Sequence, residues 1–451
     1  MFKKAAHHAG IAPECACSGL REEAAVDTVV TMLDRRFILD NVELMKANIA
    51  RRQMNVDIDR FVALEGERRS LQKQLEDVRA KSNANAKNRD LSVDEKRAAG
   101  LAAREEEAAI SAKIAPVEAE ADALYLTIPN LTYEGAPSGG EDASAEIDFG
   151  VTKKRDFGFT PKDHIELMEA LGMVNLAAGA KVSGSGFYFL TGAGALLELA
   201  LTRYGLDIAM QRGFEPVLSP DLARDSLMQG AGFVPRGNES NTYHVEDTDL
   251  NLIATSEITL VGMSADEILD AASLPVKLAG ISHCFRSERA HGSLTRGIYR
   301  VHQFTKTEMV VVCAPEQAVQ LHMQLREIEQ QVFDGLEIPY RVLEIATGDL
   351  GASAYRKFDL EAWMPGRNGG SWGEITSTSN CTDFQARRLN IRYRDEAGKL
   401  QFAHTLNGTA LSVCRAMIAL VENHQQADGS IAIPKALQPY MGGMEFIRAK
   451  K

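Results

Sequence analysis

Long hydrophobic runs are missing from this chain, and so is any excess of positive charge. No apolar stretch approaches the roughly 20 residues that a helix needs to cross a bilayer, which excludes a helical membrane protein. Lys and Arg number 50 against 62 Asp and Glu, a formal net charge of −12. The chain therefore has no general basic coat, and any nucleic-acid contact must come from local basic stripes. Six cysteines occur without one Cys-x-x-Cys pair, so neither a zinc cage nor a disulfide framework is expected. Cys15 and Cys17 form an isolated Cys-x-Cys, and the other four read as packed thiols of a reducing compartment. Glycine signatures for nucleotides are absent too: there is no Walker loop and no G-x-G-x-x-G after a strand. Bound phosphates would have to be held by side chains and metal.

At 451 residues the chain exceeds what one core usually serves, so two domains are expected. Residues 1 to 31 join Lys3 and Lys4 to Glu14, Glu22, Glu23 and Asp27 without an apolar core of signal-peptide length. Those acids argue against organelle import, and the stretch reads as a disordered extension of a cytoplasmic protein. Apolar positions then fall at Phe61, Leu64, Leu71, Leu75 and Val78, with Arg68 and Ser82 completing an a/d pattern. A second set follows at Ile110, Ile114, Val117, Ala121 and Leu124. This spacing predicts two long helices, separated by Asn83 to Asp90, with Ser92 to Glu95 shaped as a capping box. Together they predict an antiparallel coiled-coil hairpin, each helix about 40 Å long. Such an arm buries only its own seam and must project; its outer faces carry Arg68, Arg69, Lys73, Arg79, Lys81, Lys87 and Arg89. A charge run of this kind is ordinarily a solvated face. Ile128, Pro129 and Asn130 end the second helix, and the Gly, Pro and acid-rich residues 131 to 150 read as a linker. The chain thus divides into 32 to 130 and 151 to 451.

Beyond the linker, Lys181 to Leu190 reads as a strand entering a helix from Thr191 to Met210, with Leu196, Leu199, Ala200 and Tyr204 on its packed face. A strand from Phe214 to Pro220 follows. Leu250 to Leu260 reads as an apolar strand interrupted by Thr255, Ser256 and Glu257; a carboxylate there is costly unless paired. Cys284 to Glu308 packs Arg286-Ser287-Glu288, a polar loop from Arg289 to Gly297 and an alternating run from Ile298 into one predicted hairpin. An isolated Arg-x-Glu is usually a surface ion pair, but an arginine at a strand end also suits phosphate or carboxylate through its planar fork. Pro315 to Phe333 reads as an amphipathic helix, Arg341 to Ile345 as a strand, and Lys357 to Trp363 as a strand with Asp359 and Glu361 outward. A loop from Gly366 to Gly373 leads into Glu374, Ile375, Thr376 and Ser377, the start of EITSTSNCTDFQARR. Thr405 to Gln425 reads as a strand ending at Asn407-Gly408-Thr409 and a helix carrying Arg415 about two turns from its start.

These residues, in this order, resemble the seryl-tRNA synthetases of class II. Phe285, Arg286, Glu288, Arg296, Gly297, Arg300, His302, Gln303, Phe304, Lys306 and Glu308 match motif 2, with Arg289 and Ala290 where the family usually has Ala-Gly and a loop one residue shorter. The helix, strand and Pro220 resemble motif 1, EITSTSNCTDFQARR the family's EISS and SNCTDFQARR, and Thr405 to Gln425 motif 3. The likeness spans nearly everything from Met32 to Met441.

The resemblance implies an α+β fold, an antiparallel sheet flanked by helices, with a coiled-coil arm that holds the long variable arm of a tRNA by shape and phosphate contacts. It implies a homodimer that activates L-serine with ATP and loads serine tRNA and selenocysteine tRNA at the 3′ end. By the same likeness Arg286 takes the α-phosphate and serine carboxylate, and Arg415 the γ-phosphate. Glu374 and Ser377 hold Mg²⁺, Glu288 reads the adenine amino group, Phe304 stacks on the base, and Val301, Ser287, Ile375 and Thr376 complete the nucleotide site. Glu257 holds the serine ammonium, with Thr255, Ser256, Glu308 and Thr409 around it. Two further readings are a relative that loads a carrier protein, which would lack the arm, and a paralogue that binds tRNA or dimerises without charging.

Overall fold

The computed structural model describes residues 34 to 234, 241 to 288 and 297 to 449. The expectations placed on residues 1 to 31 and on Arg289, Ala290 and Arg296 lie outside the described residues.

Helices α1 (Arg35–Asp40) and α2 (Val42–Arg51) precede the long pair α3 (Ile58–Lys87) and α4 (Val93–Thr127). Asp57 caps α3, and Ser92 and Glu95 form the predicted capping box on α4. α3 runs on through Asn83 and Asn85 to Lys87, because α4 starts at Val93 and the reversal needs only the residues between. The helices are therefore longer than expected, about 45 and 53 Å at 1.5 Å per residue. Leu71, Ile110 and Ile114 fill the seam with Leu75, Val78 and Val117 packed beside them, and Arg60–Glu120 (2.7 Å) and Arg79–Glu107 (3.3 Å) bridge its flanks. At the base a separate cluster joins Phe61, Ile128, Ile38 and Met45 to Phe384. The hairpin is rooted there and projects beyond it.

The body is an eight-stranded sheet: β1 (Ala145–Phe149), β2 (Glu215–Leu218), β3 (Val276–Phe285), β4 (Gln303–Cys313), β5 (Tyr340–Glu344), β6 (Arg356–Met364), β7 (Ser371–Asn380) and β8 (His404–Ser412). Their order is β1-β5-β6-β7-β8-β4-β3-β2. Every neighbouring pair is antiparallel except the edge pair β2 and β3. Between and after the strands come α5 (His164–Ala170), α6 (Leu176–Ser183), α7 (Ala193–Gln211), α8 (Asp225–Gly230), α9 (Glu257–Gly262), α10 (Ala318–Gly335), α11 (Phe384–Arg388) and α12 (Val413–Asn423). Successive side chains of β4 part to two sides, as a pleated strand requires. Met309 and Val311 enter the main core with Leu325, Ile328 and Val332 of α10, while Val310 and Val312 pack with Leu260 and Val261 of α9.

Several local expectations change. Lys181 to Ser183 closes α6 rather than starting a strand, since the Asn175 side chain accepts from Ala178 N (2.8 Å) and nucleates a helix over the alanine-rich LAAGA. Only Phe189–Leu190 is strand there. On α7 the packed residues are Leu197, Ala200, Leu201 and Tyr204, whereas Leu196 and Leu199 are 50% and 69% exposed. Leu196, Leu197, Leu199 and Leu201 spread around the helix on both sides of Glu198, so spacing alone gave no unique face to choose. Leu250 to Leu260 is a three-residue strand, Leu250–Leu252, followed by α9 with Ser256 as its N-cap. Arg415 lies in the first turn of α12, because β8 continues through Ser412.

Candidate active site

One cavity of about 340 Å³ opens on the sheet, lined by side chains from β4, β6, β7, β8 and the start of α12. Phe304, Lys306 and Glu308 alternate along β4, and all three line it. On β8, Asn407 and Thr409 follow the same alternation, yet Ser412, three residues on, lines the cavity as well. Its presence is explained by a bulge: Thr307 pairs with Leu411 and Glu308 with Thr409, leaving Ala410 without a partner. β7 repeats the device. Leu360 pairs with Thr376 and Glu361 with Glu374, so Ile375 is the extra residue, and Glu374 and Ser377 both face the cavity. In a regular strand residues three apart would point to opposite sides.

At one end of the cavity the charges are guanidinium and carboxylate. Arg286 follows β3, and its N–H donates to His302 O (2.9 Å), extending the β3–β4 pairing past the strand. The Arg286 guanidinium lies 5.2 Å from the centre of the Phe304 ring, and among the described residues no carboxylate comes within ion-pair distance of it. Arg415 Nη1 is 2.9 Å from Glu374 Oε1, and its guanidinium is 4.9 Å from the Tyr299 ring. The Tyr299 hydroxyl donates to Glu374 O (3.1 Å). Burial alone would raise the Glu374 carboxyl, but Arg415, Lys357 and Arg286 outweigh it and hold the group below its ordinary range. Arg300 bridges to Glu288 at 2.8 Å.

The other end is built around two buried carboxylates. Glu308 Oε2 accepts from Thr409 Oγ1 (3.1 Å) and from Lys306 Nζ (2.5 Å). Glu257, on the first turn of α9, accepts from Gln385 Nε2 (2.7 Å) and Asn407 Nδ2 (3.0 Å), and its N–H donates to Thr255 Oγ1 (3.2 Å). Burial, reinforced by the charge of Glu308, pushes the Glu257 carboxyl up to about 7. No arginine or lysine forms an ion pair with Glu257 among the described residues, so a cation in the cavity would be its natural partner. Gly280 lets α9 approach: a Cβ there would stand 2.8 Å from Leu260 and 3.1 Å from Ser256 Oγ.

Of the residues singled out from sequence, Thr255, Glu257, Arg286, Glu288, Val301, Phe304, Glu308, Glu374, Ile375, Thr376, Ser377, Thr409 and Arg415 line this one cavity. Ser256 and Ser287 do not. Ser256 is fully buried at the α9 N-cap against Gly280, and Ser287 is bonded to Asn241. Asp359, read as outward, is 6% exposed and bonded to Lys357 (3.2 Å), because that side of β6 faces the cavity region rather than bulk water. Sequence reasoning assigned no role to Lys306, Asn407, Tyr299 or Lys357, all of which line the site. Lys306 and Asn407 sit two residues before Glu308 and Thr409, and strand alternation alone would have found them. Lys357 and Tyr299 left no such signal.

Similarity searches agree with this geometry. A family description for the seryl-tRNA synthetase N-terminal domain matches residues 32–132, and one for the class II tRNA synthetase core domain (G, H, P, S and T) matches residues 243–424. A serine–tRNA ligase of Treponema denticola is 51% identical over 418 residues, covering 91% of this chain and 99% of that protein. One from Rubrobacter xylanophilus is 51% identical over 422 residues, covering 91% and 98%. Among solved structures, the seryl-tRNA synthetase of Pyrococcus horikoshii complexed with ATP superposes with a TM-score of 0.84 at 37% identity, covering 93% of this chain and all of that one. With both family domains matched in order and half of all residues shared over nine-tenths of its length, the chain belongs to the seryl-tRNA synthetase family of class II aminoacyl-tRNA synthetases.

Proposed function

We propose that this protein is a serine–tRNA ligase: it joins L-serine to ATP as an adenylate, then passes the seryl group to the 3′ end of serine tRNA and of selenocysteine tRNA. The observation that carries the reading is one cavity with two chemically distinct ends. Glu257 and Glu308 form an ammonium-binding end, and Arg286 and Arg415 an anion-binding end. A serine seated between them presents its ammonium to Glu257 and its carboxylate to the Arg286 fork. The same guanidinium reaches the α-phosphate, so attacking oxygen and phosphorus meet at one charge. Phe304 offers the adenine a face, with Glu288 and Val301 at its edge. Arg415 opens from Glu374 to take the terminal phosphate. Thr409 and Glu308 give the serine hydroxyl partners that alanine would leave unpaired, which rejects alanine strongly.

Glu374 and Ser377 are oxygen donors brought together by the β7 bulge, and Asp359 Oδ1, buried without a partner, lies across the strand pair from Ser377. Such a set suits Mg²⁺, which takes few protein ligands and fills its shell with water and phosphate oxygens. Bound there, the ion would neutralise phosphate charge. The arm would seat the tRNA through its basic outer faces, and the exposed Leu196, Leu199 and Leu218 support a homodimer. The four described cysteines are free and buried, which fits a cytoplasmic setting.

Serine-dependent exchange of pyrophosphate into ATP, followed by charging of a serine tRNA, tests the proposal. No exchange would leave the non-charging paralogue, and exchange without charging the carrier-loading relative.

A further inference from the structure

The segment that enters β4 is held from below by a buried pair with no part in the roles above. His164 opens α5 and is 7% exposed. Its Nδ1 lies 3.1 Å from Glu422 Oε1, and its own N–H donates to that oxygen at 3.0 Å. The second carboxylate oxygen accepts from Gly366 N at 3.0 Å. Across the ring, Nε2 is 3.4 Å from the amide nitrogen of Ile298. An amide can only donate, so Nε2 is the acceptor, Nδ1 carries the proton, and Glu422 fixes that tautomer. Gly297 makes the approach possible: its φ is +89°, and a Cβ there would fall 2.2 Å from His164 Nε2.

The residue after Ile298 is Tyr299, which bonds Glu374 O and lies beneath Arg415. The residue after Gly366 is Arg367, 4.2 Å from the same ring. Glu422 and Arg415 share α12, about two turns apart. The contacts therefore close on themselves, from Glu422 through His164 and Ile298 to Tyr299, then to Arg415 on the helix that carries Glu422. One carboxylate sets both backbone segments that flank the Tyr299 ring.

We propose that His164, oriented by Glu422, is a positioning residue for the phosphate-binding end of the cavity. It pins Ile298 and Tyr299, and through the Tyr299 ring it aims Arg415 and holds the Glu374 backbone. The inference rests on the nucleotide reading of that end. Its test compares His164→Asn, whose shorter amide keeps the bond to Glu422 but cannot reach Ile298, with His164→Gln, whose oxygen can accept from Ile298. In pyrophosphate exchange, His164→Asn raises KM for ATP about tenfold, the weight of one buried hydrogen bond, and leaves KM for serine within about twofold. His164→Gln returns KM for ATP most of the way. Amide hydrogen exchange at Ile298 and Tyr299 quickens in the Asn variant and stays slow in the Gln variant. Equal rises in both KM values, no difference between the variants, or unchanged amide exchange would overturn the clamp. Absence of exchange activity in the unaltered protein would instead overturn the functional reading, and the amide measurement would still decide the clamp.

Discussion

Arg415 and Glu374 neutralise each other, Nη1 to Oε1 at 2.9 Å, in a site where each is proposed to take a different part of the substrate. The pair must part when nucleotide enters, so what it contributes to the empty site is order rather than affinity. Glu374→Ala frees Arg415 and removes the oxygen proposed to bind metal. Pyrophosphate exchange should then fall on the order of 10²- to 10³-fold, the usual cost of losing one preorganised electrostatic group. Nucleotide binding should persist and lose its response to added Mg²⁺. The chain has only two tryptophans, Trp363 and Trp372, packed edge to face with centroids 5.4 Å apart; Trp372 stands two residues before Glu374 on β7, so their fluorescence can follow binding. Exchange within tenfold of the unaltered protein would refute the role of Glu374.

In its proposed role as the ammonium partner, Glu257 should make serine binding depend on pH. Its carboxyl titrates near 7 in the folded chain against an ordinary 4.5. Below 7 the group holds a proton and cannot pair with an ammonium, so KM for serine should fall as pH rises from 6 to 8. Serine binding near pH 6 should release a proton. The stability sign is the reverse. Between about 4.5 and 7 the folded state keeps a proton that the unfolded state has lost, so this group's contribution to stability declines as pH climbs through that window. Serine should therefore raise the melting temperature more at pH 8 than at pH 6. Glu257→Gln should abolish that difference and raise KM for serine roughly 100-fold, the scale of one hydrogen bond to a charged group.

How far the site could be read in advance depends on backbone regularity. Phe304 and Glu308 were legible because β4 is regular on that side and the motif spells out its alternation. Glu374 and Ser377 were recognised by family likeness, but their shared direction was not derivable, since it depends on the extra residue Ile375. Thr409 and Ser412 depend in the same way on Ala410. Glu257 was legible as an oddity, a carboxylate in an apolar run, although the run folds as a helix start instead of a strand. The helical arm was legible almost residue by residue because heptad spacing and a capping box are local signals. His164 and Glu422 left no signal: 258 residues separate them, and only the packing of α12 on α5 brings them together.

Arg52 should be a point of exceptional sensitivity in stability. At 2% exposure it donates to Gly351 O (2.6 Å), Thr132 Oγ1 (2.7 Å), Leu131 O (2.9 Å) and Ala354 O. No carboxylate is among these partners; the guanidinium is held by oxygens of two segments far apart in sequence. Arg52→Met strands those acceptors in the interior and should cost roughly 3–5 kcal/mol, read as a lowered midpoint in urea. Arg52→Lys should recover little of it, because one ammonium cannot match a planar fork spread over four acceptors. Full recovery by lysine would mean that charge, not the fork, is what the site requires.

The arm should separate two activities that the cavity alone cannot. Its base, Phe61 and Ile128 with Ile38 and Met45, forms its own cluster, and just above it the buried Glu65 is paired with Arg35 and with Arg68 (2.8 Å). Above Arg68 the hairpin buries only its seam. Excising residues 71 to 117 and joining Ser70 to Glu118 by a short turn should therefore leave the body folded. Pyrophosphate exchange should stay within about twofold, because no cavity residue lies in that span. Charging of a tRNA with a long variable arm should fall by two orders of magnitude or more if Lys and Arg contacts to its phosphates orient the acceptor end, and the fall should come mainly through KM for tRNA. Raising salt should weaken charging by the full-length protein more steeply than charging by the truncated one, since the truncated form has fewer phosphate contacts to lose. Equal salt slopes with equal charging would mean that the hairpin does not touch the tRNA.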